Sequence, residues 1–185
     1  MANFNKKGYQ KWLELGYQMF AEEGLEGLQV ERLSRILQMN KSGFYYYFGD
    51  RDTFVQEICD YHKRIMDHYC QCIQKCKNFD PEFITLLFES KNMIMAHVQL
   101  MEIKTKDNFF YNIHKEGNKE VDRLVLPLWA DFLEIPDDQE TASIFWGLVR
   151  DAFFTRFDPF RYSYEFIQNI AFESKSIFKK TIIEK

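Results

Sequence analysis

Apolar residues recur along this chain at the spacing of α-helices. Leu13, Tyr17 and Phe20 lie at i, i+4 and i+7, and the pattern ends near Gly24, a residue type that suits a helix C-terminus. No segment alternates apolar and polar residues well enough to predict a strand. The pattern therefore predicts an all-α protein.

Two short apolar patterns follow the first helix, and longer ones follow them. The short patterns cover 30–37 and 44–48, and Asn40 between them is a good N-cap. Asp50 then caps a helix that runs to about Ile73. The other predicted helices span 80–103, 107–113, 119–133, 137–156 and 163–182. The chain is thus predicted to contain about nine helices.

The glycines divide the chain unevenly. Six of the eight lie within the first 49 residues, which predicts short elements with frequent turns there and long uninterrupted helices afterwards. We therefore predict a three-helix head at residues 1–50 and a larger helical domain at residues 51–185.

Composition narrows the possible functions. The 185 residues are 46% hydrophobic, which is enough for a sizeable core, and their net charge of -4 excludes a protein whose whole surface is basic. Any nucleic-acid contact must therefore be local. The four cysteines, the absence of an apolar signal core and the short apolar stretches predict a reduced, cytoplasmic protein that does not enter a membrane.

The head has the spacing of a helix-turn-helix, in which the second short helix enters the major groove of DNA. Asn40 caps that helix, which places Lys41, Ser42 and Gly43 at its exposed tip. Four consecutive aromatic residues stand at 45–48, and one side of a short helix cannot bury all of them. The tyrosines among them therefore offer hydroxyls and rings to phosphates and bases.

The run from Asn40 to Phe48, followed by Arg51, resembles the tetracycline-repressor (TetR) family of transcriptional regulators, as does the end of the first helix at 20–25. The resemblance is specific over residues 6–54. It implies a homodimer that binds a double-stranded DNA operator, most often as a repressor, and that a small-molecule effector releases or tunes. The implied contacts to bases or nearby backbone are Lys41, Ser42, Gly43 and Tyr45, and the implied phosphate contacts are Tyr46, Tyr47 and Arg51.

Three head residues depart from the family pattern. Gln29, a further candidate DNA contact, occupies the cap position of the second helix, where the family favours a Thr that contacts DNA, and Gln38 replaces the usual Gly of the turn. Glu31 stands where some members carry a basic contact. Residues 1–53 contain seven basic and seven acidic residues, so the head is neutral and its DNA affinity is expected to be modest or strongly salt-dependent.

The segment 139–157 is apolar on more than one helical face, which predicts burial against both its own domain and a second copy of the chain. With the last helix it would form a four-helix bundle across a two-fold axis, the dimer arrangement that the resemblance also implies. Ordinary core packing is the alternative. The predicted interface residues are Phe145, Val149, Phe153, Ile167, Ile170 and Ser174.

The resemblance further implies an effector cavity among the helices between the head and the dimer pair. Methionine and aromatic side chains there suit a flat or apolar molecule, although simple core packing explains any single one equally well. The candidate ligand residues are His62, Phe88, Met93, His97, Met101, Phe110, Trp129 and Trp146.

Two alternatives remain open. His68, Cys72 and Cys76 share one helix face at i, i+4 and i+8, which permits a soft-metal or thiol-redox sensor, although buried or partly exposed small thiols explain the spacing better. The neutral head also permits a helical ligand-binding protein that has lost DNA binding. No catalytic motif or phosphate loop occurs, so we predict neither an enzyme, a bound metal nor a cofactor.

Overall fold

The computed structural model describes residues 2–103 and 108–183, with side chains from Lys7 to Thr181 outside the gap. These residues form nine α-helices and no strand, which confirms the all-α prediction. The helices are α1 (Ala2–Glu23), α2 (Val30–Leu37), α3 (Lys41–Phe48), α4 (Arg51–Ile73), α5 (Ile84–Glu89), α6 (Lys91–Ile103), α7 (Asn108–Leu133), α8 (Gln139–Arg156) and α9 (Tyr164–Phe178).

The chain divides into two compact units. The first contains residues 1–67 and 92–115, and the second contains residues 68–91 and 116–185. The first unit therefore holds more than the head that we predicted at residues 1–50. Whether residue 50 bounds a functional domain stays a prediction.

The core of the first unit is aromatic. Phe54 of α4 lies against Phe44 and Phe48 of α3, with ring centres 5.0 and 4.7 Å apart. Gly16 of α1 allows the close approach, because a Cβ there would lie 2.3 Å from Phe54 Cζ. The end of α1 is marked by Gly24, whose φ of +63° lies in the left-handed region that glycine tolerates.

Two predicted helix limits in the middle of the chain are wrong. The helix expected over 80–103 is broken at Ser90, whose hydroxyl donates to Leu86 O at 2.8 Å and so competes with the helical backbone pattern. The cap near its start is Asn78, whose Oδ1 accepts from Glu82 N, because the Asp80 carboxylate instead accepts a hydrogen bond from Tyr164.

The two helices expected at 107–113 and 119–133 are one helix, α7. It continues through Gly117 and contains Pro127. Ile113 is buried in the first unit and Trp129 in the second. This burial outweighs the low helix propensity of Gly117 and Pro127. Position 107 lies outside the described residues.

Candidate nucleic-acid interface

The N-terminus of α3 is an exposed, capped tip. Asn40 has an extended backbone, and its Oδ1 accepts from Ser42 N at 3.0 Å. Lys41 and Ser42 are exposed, and a Cβ added at Gly43 would meet no atom within 4 Å. The uncapped N–H groups and the positive end of the helix dipole therefore face solvent, an arrangement that favours a phosphate.

The two faces of α3 differ sharply in burial. Phe44 and Phe48 are fully buried on one face, whereas Tyr45 is 50% exposed and Tyr46 is 71% exposed on the other. Burial of the phenylalanine face fixes the rotation of the helix, so the two tyrosines project outward from it. The face with Lys41 at its start is thus available to a partner.

Tyr47 packs against α1. It is half-buried, its ring meets Tyr9 edge to face with centres 6.1 Å apart, and a Cβ at Gly8 would come within 2.4 Å of its hydroxyl oxygen. Tyr47 thus helps to seat α3 on α1, and the phosphate contact that the resemblance implied stays a prediction.

Arg51 also has a structural role that the sequence did not reveal. Its Nε donates to Leu28 O at 3.0 Å, and its Nη2 donates to Leu25 O at 2.5 Å. Both carbonyls belong to the connection between α1 and α2, so Arg51 holds that connection against the start of α4. No local sequence signal could show this, because the acceptors are backbone atoms more than 20 positions away.

The turn between α2 and α3 forms without glycine. Gln38 adopts φ +54° in the left-handed region, and its N–H donates to Arg35 O at 3.3 Å. Ser34 secures the next residue by donating its hydroxyl to Met39 O at 2.5 Å. At the other end of α2, Gln29 is the N-cap and makes no side-chain capping bond, as its residue type predicted.

Two ion pairs partly neutralise the basic side chains of the head. Lys41 Nζ lies 3.1 Å from Glu31 Oε1, and Arg32 pairs with Glu23. Hydrogen bonds from its own backbone N–H and from Lys41 hold the pKa of Glu31 below its ordinary value.

The predicted effector residues are divided between the two units. His62, Met93, His97, Met101 and Phe110 belong to the first unit, and Phe88, Trp129 and Trp146 belong to the second. A single effector cavity lined by all of these residues therefore stays a prediction.

In the first unit, three histidine rings form a stacked column. His62 lies 5.7 Å from His97, and His97 lies 4.8 Å from His114, with interplanar angles of 24° and 20°. His62 is 1% exposed, its Nδ1 is 2.9 Å from the Tyr17 hydroxyl, and burial lowers its pKa to about 4. Met93, which lies on α6 like His97, is buried, whereas Met101 and Phe110 are half-buried.

In the second unit, Trp129 and Trp146 belong to an aromatic cluster. Their rings are 5.7 Å apart, and Phe79 contacts both of them. Trp146 Nε1 donates to Asp122 at 2.7 Å. Phe88 lies apart from this cluster, is partly exposed and stacks on Tyr162.

A groove of about 420 Å³ lies on the surface of the first unit, a volume within the range of small-molecule sites. None of the predicted effector residues lines it. Its lining is Glu14, Tyr17, Gln18, Glu22, Tyr61, Ile65 and Asn92. The sequence offered no signal for it, since α1, α4 and α6 contribute residues that are far apart in the chain.

Most residues predicted for the dimer interface are part of the second unit's own core. Val149, Phe153, Ile167 and Ile170 are buried in the single chain, and Phe145 and Ser174 are half-buried. The exposed apolar side chains of α8 and α9 lie at other positions, one to three residues from the predicted ones. They are Ile144, Leu148, Phe172 and Ile177.

The cysteine-bearing face of α4 brings one thiol close to a histidine. Cys72 Sγ lies 3.7 Å from His68 Nε2, but no group of three His, Cys, Asp or Glu residues within the described part of the chain is arranged to hold a metal ion. Burial raises the pKa of the Cys59 thiol to about 12 and also raises that of Cys76, which is opposite to the shift that makes a thiol reactive.

A capped, exposed helix tip held across a tight turn from a preceding short helix is the arrangement of a helix-turn-helix DNA-binding protein. Residues 13–58 match the sequence profile described as bacterial regulatory proteins, tetR family. The match covers the helix-turn-helix and the start of α4, so this part of the chain is similar to the DNA-binding region of these regulators.

Solved structures share the fold over nearly the whole chain. A transcriptional regulator (TerR/AcrR family) from Aquifex aeolicus VF5 is 19% identical with a TM-score of 0.64, and the match covers 92% of this chain and 99% of that one. A putative TetR-family transcriptional regulator from Mesorhizobium loti MAFF303099 is 13% identical with a TM-score of 0.60, covering 95% and 96%. A search among curated proteins found no match. Each helix within residues 2–103 and 108–183 is too short or too polar to span a bilayer.

Proposed function

We propose that the chain is a homodimeric repressor whose α3 lies in the major groove of an operator and whose DNA affinity is changed by a small-molecule effector. The observation that carries the DNA-binding geometry is the division of α3 into a buried phenylalanine face and an exposed face. The capped tip with Lys41, Ser42 and Gly43 precedes Tyr45 and Tyr46 on that exposed face.

Each tip group suits one part of DNA. Lys41 and the N–H groups of the first turn suit phosphates or guanine acceptors, and the open space at Gly43 allows the backbone to approach closely. The hydroxyls of Tyr45 and Tyr46 suit phosphates, and their rings suit sugars or thymine methyl groups. Tyr47 and Arg51 act on this interface indirectly, by holding α3 and the α1–α2 connection in place.

The contact assignment is tested with a duplex selected from a random library by the wild-type protein. Tyr45→Ala and Lys41→Met are each expected to weaken its binding at least about fivefold in fluorescence anisotropy, because a good base or phosphate contact contributes about 1–3 kcal/mol. Tyr111→Ala is the matched control, since Tyr111 is an equally exposed tyrosine on α7. Undiminished binding by both α3 variants would show that another surface contacts DNA.

A two-fold dimer would place two α3 helices about one DNA turn apart, ~34–36 Å. We assign the dimer surface to the exposed apolar side chains of α8 and α9, because the residues predicted from sequence are largely enclosed in the single chain. Ile144 and Leu148 are more than 60% exposed and stand one helical turn apart on α8. Leu148→Lys is expected to convert a dimer to a monomer in light scattering, whereas Tyr111→Lys leaves it dimeric.

The proposed effector response uses the continuity of α4, which carries residues of both units. A molecule that favours one tilt of α4 would change the separation of the two α3 helices and thereby lower operator affinity. A compound that raises the melting temperature of the protein is therefore expected to weaken binding to the selected duplex. Equal affinity at a saturating concentration of every such compound would refute this part of the proposal.

A further inference from the structure

The ion pair between Lys41 and Glu31 stands at the proposed DNA-reading tip. The two atoms are 3.1 Å apart, and the side chains are 51% and 72% exposed. Glu31 lies in the first turn of α2 and Lys41 begins α3, so the helix-turn-helix itself brings the carboxylate to the tip. Any DNA that receives Lys41 must also meet this carboxylate.

Two other basic side chains of the head also have partners. Arg32 is paired with Glu23, and Arg51 donates to two carbonyls. With Lys41 paired to Glu31, the two side chains together carry no net charge at the start of α3. This matters because non-specific binding to DNA depends almost wholly on cations that neutralise phosphates.

We propose that Glu31 is a specificity-determining residue, which holds Lys41 by its carboxylate and lets it bind DNA only where a base edge or phosphate fits closely enough to replace that contact. The inference rests on the proposed function, in which α3 reads the operator. On unmatched DNA the pair stays closed, so Lys41 contributes no net charge. On the operator a close contact compensates for opening the pair.

The expected size of the effect follows from counterion release. Neutralising one further phosphate changes the exponent of the salt dependence by about 0.9, so one freed lysine raises non-specific affinity about eightfold at 0.1 M salt and about fourfold at 0.2 M. Glu31→Gln is therefore expected to raise affinity for a scrambled duplex by these factors. Its gain on the selected operator duplex should be twofold or less. Specificity, the ratio of operator affinity to scrambled-duplex affinity, therefore falls by the quotient of the two gains.

The experiment measures anisotropy on both duplexes between 0.05 and 0.3 M salt for the full-length protein. Glu23→Gln is the matched control, because it removes the same charge from the other ion pair of the head. Glu31→Gln in a Lys41→Met background distinguishes an effect of Glu31 through Lys41 from direct repulsion of DNA by the Glu31 carboxylate. Melting temperatures establish that each variant is folded.

The inference predicts a steeper salt dependence and lower specificity for Glu31→Gln, little change for Glu23→Gln, and loss of the Glu31 effect when Lys41 is Met. An equal gain from Glu23→Gln would overturn it, since net charge alone would then explain the result. An undiminished Glu31 effect in the Lys41→Met background would also overturn it, because the carboxylate would then repel DNA directly. Failure to select any duplex would overturn the proposed function itself, whereas unchanged specificity would overturn this inference alone.

Discussion

Acid stability should depend strongly on one buried histidine. His62 is 1% exposed, its Nδ1 is 2.9 Å from the Tyr17 hydroxyl, and its Nε2 has no hydrogen-bond partner among the described residues. Burial disfavours the charged ring and lowers its pKa from 6.5 to about 4. The rings nearest to it are those of Tyr17 on α1 and His97 on α6, neither of which supplies a negative charge.

The sign and size of the effect follow from this difference in pKa. Between pH 6.5 and pH 4 the unfolded chain binds a proton at His62 and the folded chain does not, so stability is fully present above pH 6.5 and is lost as the pH falls toward 4. The difference of about 2.5 pKa units corresponds to about 3 kcal/mol, at 1.36 kcal/mol per unit.

His62→Gln removes the titration and keeps an amide that can bond to Tyr17. Urea unfolding followed by circular dichroism should show that this variant loses about 3 kcal/mol less stability than the wild type between pH 7 and pH 4. Carboxylates contribute equally to both proteins and cancel in the comparison. His68→Gln, at an exposed position of the same helix, is the matched control for replacing a histidine. The reasoning is refuted if the pH dependences of wild type and His62→Gln agree within 1 kcal/mol.

Three further substitutions test the architecture of the head, each measured by urea unfolding and DNA anisotropy. Gln38→Gly should stabilise the protein by up to about 1 kcal/mol, because glycine relieves the left-handed strain, whereas Gln38→Ala should not. Asn40→Ala should cost about 1 kcal/mol through the lost cap to Ser42, and Asn40→Ser should restore most of it; equal losses would mean that the cap is unimportant. Arg51→Met should lower stability by about 1.5–3 kcal/mol, because the hydrogen bonds from the charged guanidinium are lost. It should leave the salt exponent of DNA binding unchanged. A lower exponent without lost stability would restore the phosphate role for Arg51.

The head could be predicted closely because its signals are local. The Asn40 cap and the apolar spacing on both sides of it fix where α2 ends and α3 begins, and the observed limits agree. Local spacing also agrees with the burial of Phe44 and Phe48 on one face of α3. It could not assign partners to Arg51 or Lys41, because those contacts join segments that only the folded chain brings together.

Prediction was less successful where a helix is apolar on several faces. The periodicity of α8 shows that both Phe145 and its neighbour Ile144 are apolar, but it does not show which stripe faces the chain's own core. The structure buries Val149 and Phe153 and exposes Ile144 and Leu148, so the proposed dimer surface moves by one position along the helix. The histidine column was equally inaccessible to sequence reasoning, since its three rings come from three different helices.

The pairing of head cations changes the meaning of the chain's charge. Because Arg51 holds backbone carbonyls and Arg32 and Lys41 hold carboxylates, three cations of the head already have partners, and the α3 tip presents neutral donors beside them. These donors are the N–H groups of the α3 tip, the Ser42 hydroxyl and the exposed tyrosine hydroxyls. Hydrogen bonds from neutral groups depend on close geometric fit and only weakly on salt, whereas free cations attract any phosphate. A neutral head on an acidic protein is therefore consistent with operator binding, and it favours discrimination between sequences over affinity for DNA in general.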